Sequence, residues 1–124
     1  MKVIINRCFG GFELSDEAYE WLIKNRRWRV TEFDKDGNCK DKTAQLVKTD
    51  RKSSFYGKYW LVDEDKKKIR THKDLIDCVE TIGSKRASGR VSELEIVEVP
   101  NNVEWEIDEY DGNEWVAEKH RRWS

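Results

Sequence analysis

Apolar positions recur along this 124-residue chain with two different periods. Residues 2–7, KVIINR, are rich in β-branched side chains and read as a buried strand, stopped by Gly10-Gly11. A helix follows. Ser15 is a good N-cap, Asp16 and Glu17 suit the positive helix end, and Ala18, Trp21, Leu22 and Asn25 fall on one face. Residues 28–33 read as a strand, residues 34–43 as a polar loop containing the turn pair Asp36-Gly37, and residues 43–48 as a short strand. Residues 55–62 predict a longer strand with Tyr56, Trp60 and Val62 on one side and Phe55, Tyr59 and Leu61 on the other. Aromatic residues on both faces suit a central strand.

The DEDKKK run at 63–68 reads as a charged connection to a second helix. Thr71 is its expected cap, with Asp74 three residues on. Leu75, Ile76, Val79 and Ile82 form its apolar stripe, and Gly83 its stop. Residues 84–90, SKRASGR, read as a flexible basic loop, and residues 93–99 as a strand before the turn Pro100-Asn101-Asn102. Val103, Trp105 and Ile107 then alternate with Glu104, Glu106 and Asp108, giving one apolar face and one row of carboxylates. Asp111-Gly112 signals a hairpin with residues 114–120 as its return strand, in which Trp115 is expected to be the core anchor. The pattern as a whole predicts an α+β fold in a single domain, residues 1–124, with two helices on a mainly antiparallel sheet of five or six strands.

Composition makes that core thin, because charged residues are 40% of the chain and apolar ones 37%, while the 11% aromatic content supplies the buriable area that disordered chains lack. No apolar run approaches the roughly 20 residues that span a bilayer. The N-terminal stretch has no signal-peptide pattern, so a soluble, cytoplasmic protein is expected. Cys8, Cys39 and Cys78 form no CxxC pair and read as reduced thiols. Charge is uneven: residues 1–90 carry 21 basic and 15 acidic side chains, and residues 91–124 carry 3 and 10. The first part can attract polyanions and the second repel them, or the two can pack together and neutralise each other.

Three segments, INRCFGGFELSDEA at 5–18, IRTHKDLIDCVETIG at 69–83 with the following SGR, and LEIVEVPNNVEWEIDEYDGNEWVAEKHRRW at 94–123, resemble a family of small, largely uncharacterised bacteriophage and prophage proteins. Its members carry a strand followed by CYGGF or CFGGF and end in an EWVAEKHR-type tail. Many have R-x-H-P or R-x-D-P at the start of the second helix, where this chain has Lys73 in place of the proline. The resemblance implies a phage provenance and a rough fold, and it assigns no catalytic residue.

Gly10-Gly11 lies between a strand and a helix start, where backbone amides can cradle a phosphate; a glycine turn needing positive φ is the plainer reading. Asn6 and Cys8 share a face beside it. Cys8 as a nucleophile would need His72 or His120 as its base, and a small buried cysteine is the commoner outcome, so no catalytic residue is assigned. No metal site is expected from these cysteines and histidines. The row Glu104, Glu106, Asp108 suits a solvated sheet face, a metal site completed by another element, or a surface imitating nucleic-acid phosphates. Lys66, Lys67, Lys68 and Arg70 at one end of the second helix, and Lys85, Arg86 and Arg90 at the other, form the most suggestive constellation for an anion.

The leading expectation is therefore a non-enzymatic, cofactor-free binding protein of phage origin that acts on a host process by sequestering a small anionic, nucleotide-derived signal. Asn6, Cys8, Gly10, Gly11, Arg70, His72, Arg86, Arg90 and Trp123 are its candidate ligand-binding residues. Neither DNA, RNA nor a membrane is an expected partner, and a homo-oligomer is compatible with the sequence. The alternative is a protein-binding inhibitor of a host defence or nucleic-acid-handling protein, working through the acidic hairpin at 103–118. An enzyme ranks last, for want of an acid–base or metal constellation.

Overall fold

The first strand forms over Lys2–Asn6 (β1), and it is buried from Val3 onward because it is covered on both faces. It pairs antiparallel with Leu94–Glu98 (β5), with Ile4 opposite Ile96 and Asn6 opposite Leu94. Side chains alternate across a strand, so Ile4 enters one apolar cluster while Val3 and Ile5 enter another. The computed structural model describes residues 1–48, 57–63 and 65–118.

The larger cluster lies on the helical side. Helix Asp16–Arg26 (α1) starts where expected, with the Ser15 hydroxyl accepting a hydrogen bond from the Ala18 amide at 3.1 Å. Helix Lys73–Ile82 (α3) ends at Gly83, whose φ of 89° is open to glycine at little cost. Ala18 and Leu22 of α1 and Leu75, Cys78 and Val79 of α3 pack with Ile4 and Leu94. The smaller cluster lies on the other side of β1, where Trp105–Tyr110 (β6) and Asn113–Glu118 (β7) form an antiparallel hairpin. Trp105, Ile107 and Val116 of the hairpin meet Val3, Ile5, Val97 and Val99 there. Asp111 and Gly112 join its strands with φ values of 51° and 92°, the left-handed pair that a tight two-residue connection needs. The β1–β5 pair is thus the middle layer between helices and hairpin.

Among the described residues the architecture is mixed α/β, with four helices and seven strands in three small sheets. The single sheet of five or six strands does not form. The third sheet joins Val30–Thr31 (β2), Leu46–Lys48 (β3) and Tyr59–Leu61 (β4) in that order. Its central member is β3, whose Leu46 is buried in the helical cluster, and not the aromatic β4. The two extra helices come from charged segments. Lys66–Arg70 (α2) forms inside the expected connection because the Asp65 carboxylate caps the Lys68 amide at 3.1 Å and Ile69 and Arg70 turn inward. Ser84–Ala87 (α4) replaces the expected basic loop, anchored by the buried Ala87. Because α2 ends at Thr71, that residue does not cap α3. His72 does so, its Nδ1 accepting from the Asp74 amide at 3.1 Å.

The hairpin register overturns the expected anchor. Trp115 stands opposite Asp108 on the outer face and is 41% exposed, whereas Glu114 beside it is only 2% exposed. Trp105, 6% exposed, fills the anchoring role instead. Trp105→Ala is expected to cost about 3–5 kcal/mol in urea unfolding, and Trp115→Ala no more than about 1 kcal/mol.

Candidate functional site

Arg70 and Glu114, distant in sequence, meet in a buried cluster where the exit of β1, the end of α2 and the start of β7 converge. Lys66 and Arg70 are four residues apart on α2 and therefore share a face. Both reach the Glu114 carboxylate: the guanidinium donates to both oxygens, with Nη2 to Oε2 at 2.8 Å, and Lys66 Nζ lies 3.4 Å from Oε2. The Asn6 backbone amide adds a third donor to Oε1 at 2.8 Å. Arg70 Nη1 also donates to the Ile4 carbonyl at 3.3 Å, and the guanidinium carbon sits 3.5 Å from the centre of the Phe12 ring. Burial pushes the Glu114 carboxyl up, but the Arg70 hydrogen bonds and charge, the Asn6 amide and Lys66 outweigh it, so its pKa lies below the usual glutamate value.

Asn6 ties this cluster to the hairpin turn. Its Nδ2 donates to the Cys8 carbonyl at 2.7 Å and the Gly112 carbonyl at 2.8 Å, and its Oδ1 accepts from the Glu93 amide at 2.9 Å and the Cys8 amide at 3.3 Å. The turn in turn lies on the glycine segment. A Cβ on Gly112 would stand 2.7 Å from the Gly11 nitrogen and the Phe9 carbonyl oxygen, and one on Gly10 would stand 1.9 Å from the Val91 carbonyl oxygen. These glycines allow backbones to pack where no side chain fits.

The structure thus brings Asn6, Cys8, Gly10, Gly11 and Arg70 into one neighbourhood and leaves the other candidates elsewhere. His72 is at the start of α3, its ring packed edgewise on Trp28 at 5.5 Å. Arg86 is exposed on α4 and pairs with Glu17 of α1, Nε to Oε1 at 2.9 Å. Arg90 is exposed on the segment after α4, and Trp123 lies outside the described residues, as does His120. Cys78 is buried beside α1, where burial and then the Glu17 charge push its thiol up to about 11. Among the described residues, no group of three or more His, Cys, Asp or Glu side chains is placed to hold a metal ion, and no helix is long and apolar enough to cross a membrane.

Sequence reasoning missed Glu114 and Phe12, and it placed Lys66 in a basic group for an external anion, whereas Lys66 pairs with Glu114. The parity of β7 carried the signal for Glu114, since it shares a face with Val116, which lies on the inner side of the hairpin. Chemically the cluster is a clamp. Its carboxylate is ionised and hydrogen-bonded to three donors, which suits fixing the hairpin against β1 and α2 better than taking up a proton.

Outside the clamp, the hairpin presents Glu104, Glu106, Asp108, Tyr110 and Trp115 on its outer side. Among the described residues none of these three carboxylates has an ion-pair partner, and Tyr110 is 72% exposed. Comparison with protein-family models, with curated proteins and with solved structures found no match to the chain.

Glu114→Gln leaves Arg70 buried without its counter-charge and is expected to cost about 3–5 kcal/mol. The stability that Glu114 contributes is fully present above the ordinary glutamate pKa of roughly 4.3, and it is lost as pH falls through the lower folded-state value. Urea unfolding at neutral pH and at pH values below that range should therefore show an acid-induced loss in the wild type that is smaller in Glu114→Gln.

Proposed function

We propose that the chain is a non-enzymatic binding protein that engages a basic protein surface through the outer face of the β6–β7 hairpin. The observation that carries this reading is the combination on one face of carboxylates without an ion-pair partner among the described residues, Glu104, Glu106 and Asp108, with the exposed rings of Tyr110 and Trp115. Carboxylates attract and orient Lys and Arg side chains, and aromatic faces accept them by cation–π contact. The clamp supports the reading too, because a rigid presenting surface loses little entropy on binding.

Elsewhere several of the cations expected to hold an anion have internal partners: Arg70 is buried on Glu114, Arg86 pairs with Glu17, and Lys68 pairs with Asp63 at 2.8 Å. That distribution favours the acidic hairpin over the helix-flanking cations as the working surface. The resemblance to phage proteins makes a host protein the natural partner, and a host defence or nucleic-acid-handling protein is the class that carries such basic surfaces.

A synthetic Lys/Arg-rich peptide serves as the probe. Tryptophan fluorescence should report binding that weakens as salt rises. Glu104→Lys with Glu106→Lys should lower the affinity at least about tenfold without changing the thermal melt, and Trp115→Ala should lower it as well. Equal binding by wild type and the double charge reversal would refute the proposal.

A further inference from the structure

A cavity sharing no lining residue with the hairpin lies between the β2–β3–β4 sheet and helices α2 and α3. Its volume is about 370 Å³, within the range of roughly 300–1,000 Å³ usual for small-molecule sites. The floor is apolar, formed by Trp28, Leu61, Ile69 and Leu75. The Trp28 ring is held in place by donating its Nε1–H to Asp74 Oδ2 at 2.9 Å and by its edgewise contact with His72.

Two donors around this floor lack partners among the described residues. His72 Nδ1 accepts from the Asp74 amide, which fixes the neutral tautomer with its proton on Nε2, and Nε2–H has no hydrogen-bond partner among the described residues. Lys42 lines the same cavity and has no ion-pair partner among the described residues. The neighbouring carboxylates, by contrast, are already matched: Asp63 by Lys68 at 2.8 Å, Asp74 by Arg26 at 3.3 Å and Asp41 by Arg29 at 3.3 Å. Among the described residues the uncompensated charge at this cavity is therefore positive, above an aromatic and aliphatic floor.

We propose that this cavity binds a small planar anion, a ring bearing one carboxylate or phosphate group. Lys42 and the His72 Nε2–H hold the anionic group, and the ring lies against Trp28, Leu61 and Leu75. Its recognition needs both parts. A bare inorganic anion leaves the apolar floor uncovered, and a neutral ring leaves Lys42 unpaired.

Two pairs of probes test this on the full chain by amide chemical-shift mapping: benzoate against benzamide, and adenosine monophosphate against adenosine. At least one anion should give saturable shifts concentrated at residues 42–45, 61–63 and 68–75, and its neutral counterpart should bind at least about tenfold more weakly. Benzoate alone would identify a carboxylate site, adenosine monophosphate alone a phosphate site, and both together the shared chemistry. Lys42→Ala, a change at an exposed side chain, should weaken the binding about tenfold while the thermal melt stays put. His72→Asn keeps an acceptor for the Asp74 amide and should also weaken it. Shifts absent or centred elsewhere, equal binding of the neutral partner, or unchanged affinity in Lys42→Ala would overturn the proposal.

Discussion

The buried pair between Arg70 and Glu114 is the interaction on which the arrangement of the layers depends. Each charge loses its hydration on burial, a penalty of several kcal/mol per ion that direct attraction alone offsets poorly. Here the compensation comes from every layer at once. The β1 backbone gives the Asn6 amide and takes up a hydrogen from Arg70 at Ile4, α2 supplies Lys66, and Phe12 covers the guanidinium. These bonds are satisfied together only in one relative position of α2, β1 and β7. A one-residue slip of β7 would turn Trp115 inward and strand Arg70 without a counter-charge, so the pair selects the register as well as joining the elements.

The unevenness of charge along the chain is resolved only in part by folding. Arg7 pairs with Glu95, and Lys66 and Arg70 with Glu114, so the basic and acidic parts do meet across the β1 layer. Among the described residues, the carboxylates of the hairpin's outer face take no part in this neutralisation. The clamp uses Glu114, the buried glutamate on the inner face of β7, and leaves the acidic row of β6 to solvent. Internal pairing and outward presentation are therefore consequences of the same strand parity.

Local sequence is decisive where one residue determines the local geometry. Ser15 begins a helix, Gly83 ends one, and Asp111-Gly112 turns a hairpin, each for the stereochemical reason visible in its side chain. The failures arose where distant partners decide. The Asp65 cap is a local signal for α2, but the inward position of Arg70 follows from Glu114, forty-four residues later. Likewise the size of Trp115 argued for burial, and the charge of Glu114 argued against it, until a buried guanidinium reversed both. The strands were largely found, but their division among three sheets rests on long-range pairings such as β2 beside β3 that no periodicity encodes. Within the site, the proximity of Asn6, Cys8 and the glycines was legible from their spacing, and the turn at Gly10-Gly11 was visible as the plainer alternative, with Gly11 at a φ of 93°.

The placement of β1 has a consequence for how the chain acquires its fold. Synthesis makes this strand before the elements that complete it: its hydrogen-bonding partner is β5, and the cover over Val3 and Ile5 comes from the hairpin, later still in the sequence. An apolar strand without its ladder is a template for pairing with other chains. During translation, which proceeds over seconds, Val3, Ile4 and Ile5 wait until residues beyond 94 have emerged before β5 can pair with them, and longer for the hairpin. The same long loop closures that let one strand organise both clusters make it the last to be protected, and slow its folding relative to the locally connected helices.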